Sequence, residues 1–250
     1  MTNERSRPVV RSTGIMKDFV TPGGVLHVLR GCDLEVAGGE IVAILGASGV
    51  GKSTLLHIVG TLDRPTTGRV EFAEGDVFLL SDRARAAFRN RHVGFVFQFH
   101  HLMPEFTALE NVMMPGLIGR MPAPAAREKA HALLEQVGLA EREGHKPHEL
   151  SGGEQQRVAV ARSLFNDPRL VIADEPSGNL DPETADQLHR LVYTLAKNRG
   201  QSWLIATHNE SLAGIADRRS RLIQGRLEPE PEPAGNSPAP HAPAGGNRES

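Results

Sequence analysis

Eight consecutive residues constrain this chain more than any others: Gly46-Ala47-Ser48-Gly49-Val50-Gly51-Lys52-Ser53, with Thr54 directly after them. They match G-x-x-x-x-G-K-[ST]. Their context is an apolar run before them, Ile41–Leu45 (IVAIL), and a helical pattern after them, carried by Leu55, Leu56, Ile58 and Val59. A glycine-rich turn could merely connect strand to helix, but the full order of strand, loop and helix is what phosphate binding needs. Glycines at 46, 49 and 51 let backbone N–H groups converge on phosphate oxygens, at a helix end that already favours negative charge. Lys52 is placed to reach the β- and γ-phosphates, and Ser53 to hold Mg²⁺. The segment predicts a site for a nucleoside triphosphate with Mg²⁺.

The surrounding pattern predicts the fold class. Ile41–Leu45, Val93–Phe97 (VGFVF), Leu170–Ala173 (LVIA) and Trp203–Ala206 (WLIA) are short, nearly continuous apolar runs. Such runs suit strands buried on both faces of a parallel sheet covered by helices. Ala130, Leu133, Leu134 and Val137 then fall at helical spacing and stop at Gly138. Leu188, Leu191, Val192 and Leu195 do the same behind Asp181-Pro182, which suit N-cap and first-turn positions. The expectation is α/β with a mainly parallel central sheet, and a helical subdomain within the stretch from about 89 to 165. Residues 228–250 read EPEPEPAGNSPAPHAPAGGNRES, with no branched aliphatic or aromatic residue, and are expected to form a disordered tail.

Two adjacent carboxylates, Asp174 and Glu175, close the apolar run that starts at Leu170. In isolation they could be a solvated strand end. Beside a phosphate loop, an Asp in that place holds the Mg²⁺ shell and an adjacent Glu can polarise the attacking water. The pair therefore predicts hydrolysis rather than transfer to a second substrate.

A second glycine-bearing helix start follows the helical stretch: Leu150-Ser-Gly-Gly-Glu-Gln-Gln-Arg157. Ser151 and Glu154 are spaced as a capping box. Gly152 and Gly153 strip side chains from the helix end and leave N–H donors for an anion. The segment is similar to the signature motif of the ATP-binding-cassette (ABC) ATPases, and other landmarks of that family follow its order. Gln98 resembles the glutamine that touches Mg²⁺ and senses the γ-phosphate. Ser177-Gly-Asn-Leu-Asp181 resembles the D-loop, which crosses to a partner subunit. His208 resembles the switch histidine at the γ-phosphate, and Phe19 sits where the family places an aromatic stacked on adenine. The resemblance covers residues 8–227 and implies a P-loop core, an antiparallel β part near the N-terminus, and a helical subdomain at about 99–165 inserted in the core. The site residues it implies divide by role. Glu175, His208 and Gln98 are catalytic, and Ser53, Gln98 and Asp174 are metal-binding. Nucleotide binding falls to Phe19, Gly46–Thr54, Ser151, Gly152, Gly153 and Asp181. The implied cofactors are ATP and Mg²⁺.

One phosphate loop and one signature per chain imply a homodimer in which each nucleotide lies between the loop of one subunit and the signature of the other. The segment from Phe97 to Pro115, FQFHHLMPEFTALENVMMP, resembles the lipoprotein-releasing (LolD-type) ATPases. That resemblance implies integral-membrane permease subunits (LolC/LolE-like) as partners and a peripheral place on the cytoplasmic face of the bacterial inner membrane. Phe99, Leu102, Met103 and Phe106 would offer an adaptable apolar surface to a permease helix. Related alternatives are macrolide-type export ATPases and the FtsE-type cell-division ATPase, and a more distant one is a soluble ABC protein of DNA repair or translation.

Composition bears on those alternatives. Lys plus Arg number 28 against 30 Asp plus Glu, a net charge of −2, which argues against nucleic-acid binding by bulk charge. No run approaches the roughly 18–20 apolar residues of a membrane helix, so membrane contact is expected only through the permease. The single cysteine, Cys32, cannot form an intrachain disulfide, which suits a reducing compartment. His100-His101 and His145/His148 lack Cys or carboxylate partners at ligand spacing, so no metal site is expected there.

Overall fold

The computed structural model describes residues 8–230. Two sheets organise them. The first is antiparallel, in the order β2-β1-β4-β5, built from β1 (Pro8–Thr21), β2 (Gly24–Ala37), β4 (Thr67–Phe72) and β5 (Gly75–Asp76). The second has the order β10-β9-β3-β8-β7-β6, formed by β3 (Ile41–Leu45), β6 (Val93–Phe97), β7 (Leu170–Asp174), β8 (Ser202–Thr207), β9 (Arg218–Ile223) and β10 (Arg226–Pro229). All its pairings are parallel except that of β10 with β9. The α/β class and the parallel central sheet thus follow the apolar runs read from the sequence.

Period-two alternation explains how the sheet is covered on both faces. Ile41 in β3, Val171 and Ala173 in β7, and Trp203 and Ile205 in β8 join the apolar core shared with the helices α3 (Ala108–Ile118), α4 (Ala123–Gln136), α5 (Gly152–Leu164) and α6 (Pro182–Arg199). Their neighbours Val42, Ile44, Ile172, Leu204 and Ala206 point the other way, into a second core with α1 (Lys52–Val59) and the antiparallel sheet. Trp203 is wholly buried and anchors the helical side.

Local chemistry fixes the helix ends. Thr107 and Glu110 close a reciprocal capping box on α3, and Ser151 and Glu154 do the same on α5. Asp181 caps α6 with Pro182 in its first turn, and Gly200 ends that helix in the left-handed conformation. Helices α3–α5 lie between β6 and β7 in the chain, and α2 (Asp82–His92) precedes β6.

The expected start of the tail at Glu228 needs correction. Glu228 and Pro229 belong to β10, opposite Arg221 and Ser220. The Glu230 N–H donates to the Arg219 carbonyl at 3.1 Å, and its carboxylate accepts from Arg221 at 2.5 Å. Backbone pairing and an ion pair order these three residues without any apolar side chain, so composition alone misplaced the boundary. The rest of that segment, residues 231–250, lies outside the described residues. Among the described residues no helix is long and apolar enough to cross a membrane.

Candidate nucleotide site

Parallel register gathers the predicted residues at one edge of the sheet. Leu45 pairs with Thr207, Ala206 with Asp174, and Asp174 with Phe97. The next residue along each strand is therefore Gly46, His208, Glu175 or Gln98, all leaving the carboxyl ends of adjacent strands, where open α/β sheets place their ligands.

The loop Gly46–Gly51 enters α1 with Gly51 as a left-handed N-cap at φ 111°. A Cβ at Gly51 would fall 2.8 Å from Val28 Cγ1, and one at Gly46 would fall 2.9 Å from the Leu222 carbonyl oxygen. Both glycines are therefore required by space as well as conformation. Ala47, Ser48, Gly49 and Ser53 are exposed, and Val50 and Thr54 are half-buried. Lys52 is only 6% exposed, and its Nζ donates to the carbonyls of Gly46 at 2.8 Å and Ala47 at 3.2 Å. An ammonium held by its own loop points a fixed charge at whatever the N–H groups cradle.

Glu175 occupies the centre. Its Oε1 lies 3.4 Å from Lys52 Nζ and 3.0 Å from His208 Nδ1, and its Oε2 accepts the His208 backbone N–H at 3.3 Å. The backbone at Glu175 has φ 46°, in the left-handed region although a proline follows. That conformation is held by Glu175 N–H to the Ala206 carbonyl at 2.9 Å and Gly178 N–H to the Glu175 carbonyl at 3.0 Å. Strain of this kind costs on the order of 1–3 kcal/mol and collects at functional sites. Here it turns the carboxylate back over the strand ends.

Asp174 precedes it with a contrasting environment. Its Oδ1 is buried and has no hydrogen-bond partner. Burial pushes its carboxyl above the ordinary value, with the Ser53 hydroxyl, His57 and Lys52 pulling the other way and the Glu175 charge adding to the rise. Gln98 is tied to Asn179 in both directions: its Nε2 donates to Asn179 Oδ1 at 2.9 Å and its carbonyl accepts from Asn179 Nδ2 at 3.2 Å. The D-loop resemblance takes in Asn179 without its bond to Gln98, because an amide pair 81 residues apart leaves no periodic trace.

Phe19 stands in β1, 39% exposed, with Lys17 Nζ 5.0 Å from its ring centroid. Ser151 and Gly152 are exposed at the start of α5, whereas Gly153 is buried. A side chain at Gly153 would collide with Thr184 of α6, so this glycine makes room for a neighbouring helix as well as baring a helix end. In its own chain the signature neighbours Leu180 and Thr184. Asp181 Oδ1 accepts the Thr184 N–H at 3.0 Å, and hydrogen bonds from Thr184 hold its carboxyl below the ordinary range.

The apolar segment after Gln98 divides. Phe99 and Met103 are 66% and 39% exposed. Leu102 packs against the helical-side core, and Phe106 is half-buried. Leu102 is therefore packing rather than free surface. Close by, Leu62, Phe95, Phe97, Pro115, Ile118 and Arg89 line a cleft of about 420 Å³ between the sheet edge and the helices.

Fold and site together define a P-loop ATPase of the cassette type. Residues 29–178 match the ABC transporter family. The chain is 58% identical over 202 residues to the lipoprotein-releasing system ATP-binding protein LolD of Geobacter metallireducens, covering 81% of this chain and 90% of that protein. It is 56% identical to the LolD of Ruegeria pomeroyi, covering 90% of this chain and 99% of that one. Among solved structures, the dimeric bacterial ABC transporter cassette MJ0796 superposes with a TM-score of 0.80 at 36% identity, covering 88% of this chain and 96% of that one. The same cassette has been solved as a dimer in a post-hydrolysis state bound to ADP and Pi, again with a TM-score of 0.80. The chain belongs to the ABC transporter ATP-binding family, in its lipoprotein-releasing, LolD-type group. It is an ATPase, converting ATP and water to ADP and phosphate in the service of transport.

Proposed function

We propose that this chain works as a homodimer bound to permease subunits of the LolC/LolE kind, on the cytoplasmic face of a bacterial inner membrane, and powers the release of lipoproteins. The observation that carries the ATPase half of this reading is the Glu175 carboxylate set between Lys52 and His208 at the mouth of the phosphate loop. The lipoprotein half is supported by LolD relatives aligned over nearly their whole length.

The N–H groups of Gly46–Thr54 and the Lys52 ammonium bind the phosphates, and Phe19 offers its ring to the base. Asp174, Ser53 and Gln98 are the residues that would hold Mg²⁺. The buried, unpartnered Asp174 Oδ1 beside the Ser53 hydroxyl is the oxygen-donor set a hard cation takes. Bound there, Mg²⁺ would supply charge neutralisation to the phosphates. Glu175 accepts the proton of the attacking water on its carboxylate, and His208 keeps that carboxylate aimed at the γ-phosphate position. Gln98, fastened to Asn179, leaves the strand beside that of Glu175.

Ser151, Gly152 and Asp181 serve the nucleotide of the partner subunit. Two features support that assignment: the exposed signature end neighbours α6 and its approach in its own chain, and the MJ0796 cassette is a dimer. The 420 Å³ cleft, with exposed Phe99 and Met103 nearby, is the surface for a permease helix. Its lining of apolar side chains edged by Arg89, Asn90, Arg162 and Asn166 suits an amphipathic helix laid into a groove.

The test is reconstitution. The chain, co-purified with such a permease in proteoliposomes, should release a bound lipoprotein to an acceptor only with hydrolysable ATP. ATPase activity without ATP-dependent release would sink the lipoprotein half alone.

A further inference from the structure

A buried histidine outside the nucleotide site joins two of the segments that carry it. His189, on α6, is 3% exposed, and its Nε2 lies 2.9 Å from the Oγ of Ser177, which is itself 6% exposed. On the other side of the ring, Nδ1 lies 3.5 Å from Ser211 Oγ and 3.7 Å from Asp186 Oδ1. The Ser211 hydroxyl donates to Asp186 Oδ1 at 3.3 Å.

Each end of this bridge leads to a residue at the site. Ser211 belongs to the short helix α7 (Glu210–Ala213), whose N-cap is Asn209, the residue after His208. Asn209 Oδ1 accepts the N–H groups of Ser211 and Leu212 at 2.8 and 3.2 Å. Ser177 lies two residues before Asn179, which holds Gln98 by two hydrogen bonds. His208 and Gln98 are thereby linked through α7, His189 and the Ser177–Asn179 loop, behind Glu175.

We infer that His189 is a positioning residue for the hydrolysis reaction, fixing the Ser177 loop, and through it Gln98, relative to the segment that carries His208. The inference rests on the reading of Gln98 and His208 as groups at the γ-phosphate. Burial lowers the pKa of His189, with Arg190 acting the same way and the Asp186 charge opposing them, so the ring is neutral at physiological pH. A neutral ring has one donor and one acceptor. Because the Ser211 hydroxyl donates to Asp186, we assign the hydrogen to Nδ1 on the side of Ser211 Oγ and the Asp186 charge, which makes Nε2 the acceptor of the Ser177 hydroxyl. The loop is therefore held by a directional bond as well as by packing.

The experiment uses the full chain and five variants, His189→Phe, His189→Gln, Ser177→Ala, His208→Ala and the double variant His189→Phe/Ser177→Ala, with kcat, KM for ATP and Tm measured for each. Phe keeps the ring volume and loses both bonds, whereas the Gln amide can reach Ser177 from the place of Nε2. His189→Phe is expected to lower kcat about tenfold, with KM for ATP unchanged within about twofold, as for loss of coupling between sites. His189→Gln should recover most of that turnover. Because Ser177→Ala breaks a bond that His189→Phe has already lost, the double variant should be no slower than His189→Phe alone. A lowered Tm with unchanged kcat per folded molecule would make His189 mere packing and overturn the inference. So would additive losses in the double variant. Should His189→Phe fail to fold, Ser177→Ala carries the test, and wild-type kcat in it overturns the inference. Loss of turnover in His208→Ala with none in the Ser177 and His189 variants refutes this inference alone. Full turnover in His208→Ala as well would bring down the reading of the site on which it rests.

Discussion

Lys52 Nζ lies 3.4 Å from Glu175 Oε1, so the cation of the phosphate loop after β3 and the carboxylate at the end of β7, beyond β8 in the sheet, share one small volume. Both side chains are largely buried, at 7% and 15% exposure. His208 Nδ1 reaches the same oxygen at 3.0 Å. One carboxylate thus reads the positions of both β3 and β8, and any ligand that draws Lys52 toward phosphate changes what Glu175 faces.

Lys52 and Ser151 should fail in different ways. Lys52→Ala removes a fixed charge from the phosphates in every state and should weaken nucleotide binding itself. Ser151→Arg should leave nucleotide binding by the single subunit intact and block dimer closure. Mixing the two inactive variants creates heterodimers with one intact composite site. ATPase activity regained on mixing is the expected result, and inactive heterodimers of demonstrated composition would count against head-to-tail pairing.

Asp174→Asn should separate stability from function. Burial raises the Asp174 carboxyl, so folding favours its protonated form, and the stability it permits is greatest at low pH and falls as pH rises through its folded-state value. Removing the charge should therefore raise the Tm of the ligand-free protein at pH 7. That gain should shrink toward acid pH. The further rise in Tm that Mg²⁺ adds over ATP alone should be absent from the variant.

The C-terminal strand gives a graded truncation. Ending the chain after Leu227 deletes the Glu228–Arg221 and Pro229–Ser220 pairings and the Glu230–Arg221 ion pair. A loss of about 1 kcal/mol, or about 2–4 °C in Tm, is expected. Ending it after Glu230 keeps all of these and should leave Tm and ATPase rate as in the full chain. Equal melting of the two truncated forms would show that β10 adds nothing beyond Leu227.

Leu102 and Met103 should behave oppositely despite adjacency. Leu102→Asp places a charge against the helical-side core and should destabilise the free subunit by about 2–4 kcal/mol. Met103, 39% exposed, should accept Asp with normal folding and ATP binding while losing capture of the permease. Thermal melting of the isolated subunit beside permease pull-down distinguishes the two.

Much of this was legible in the sequence, for reasons that differ by element. The apolar runs at 41, 93, 170 and 203 revealed the parallel strands because burial on both faces leaves no alternation to misread. Gly46–Thr54 and Asp174-Glu175 were legible as candidate site residues because phosphate and metal chemistry demand fixed residue types at fixed spacing. What stayed hidden depends on tertiary register. The Gln98–Asn179 and Ser177–His189 bonds join residues whose types carry no signal alone. The left-handed turn at Glu175 contradicts the local preference of a residue before proline and is imposed by the Ala206 carbonyl across the sheet. Likewise Glu228–Glu230 look disordered by composition and are ordered by backbone pairing.

Turnover and nucleotide binding by Glu175→Gln test the centre of the mechanism most directly. Gln keeps the size of the side chain and removes its ability to take a proton. The expected result is ATP binding close to wild type, steady-state hydrolysis lowered about 10²-fold or more, and accumulation of an ATP-bound dimer on size-exclusion chromatography. Hydrolysis at a near-normal rate by Glu175→Gln would contradict the assignment of Glu175 as the group that accepts the proton of water.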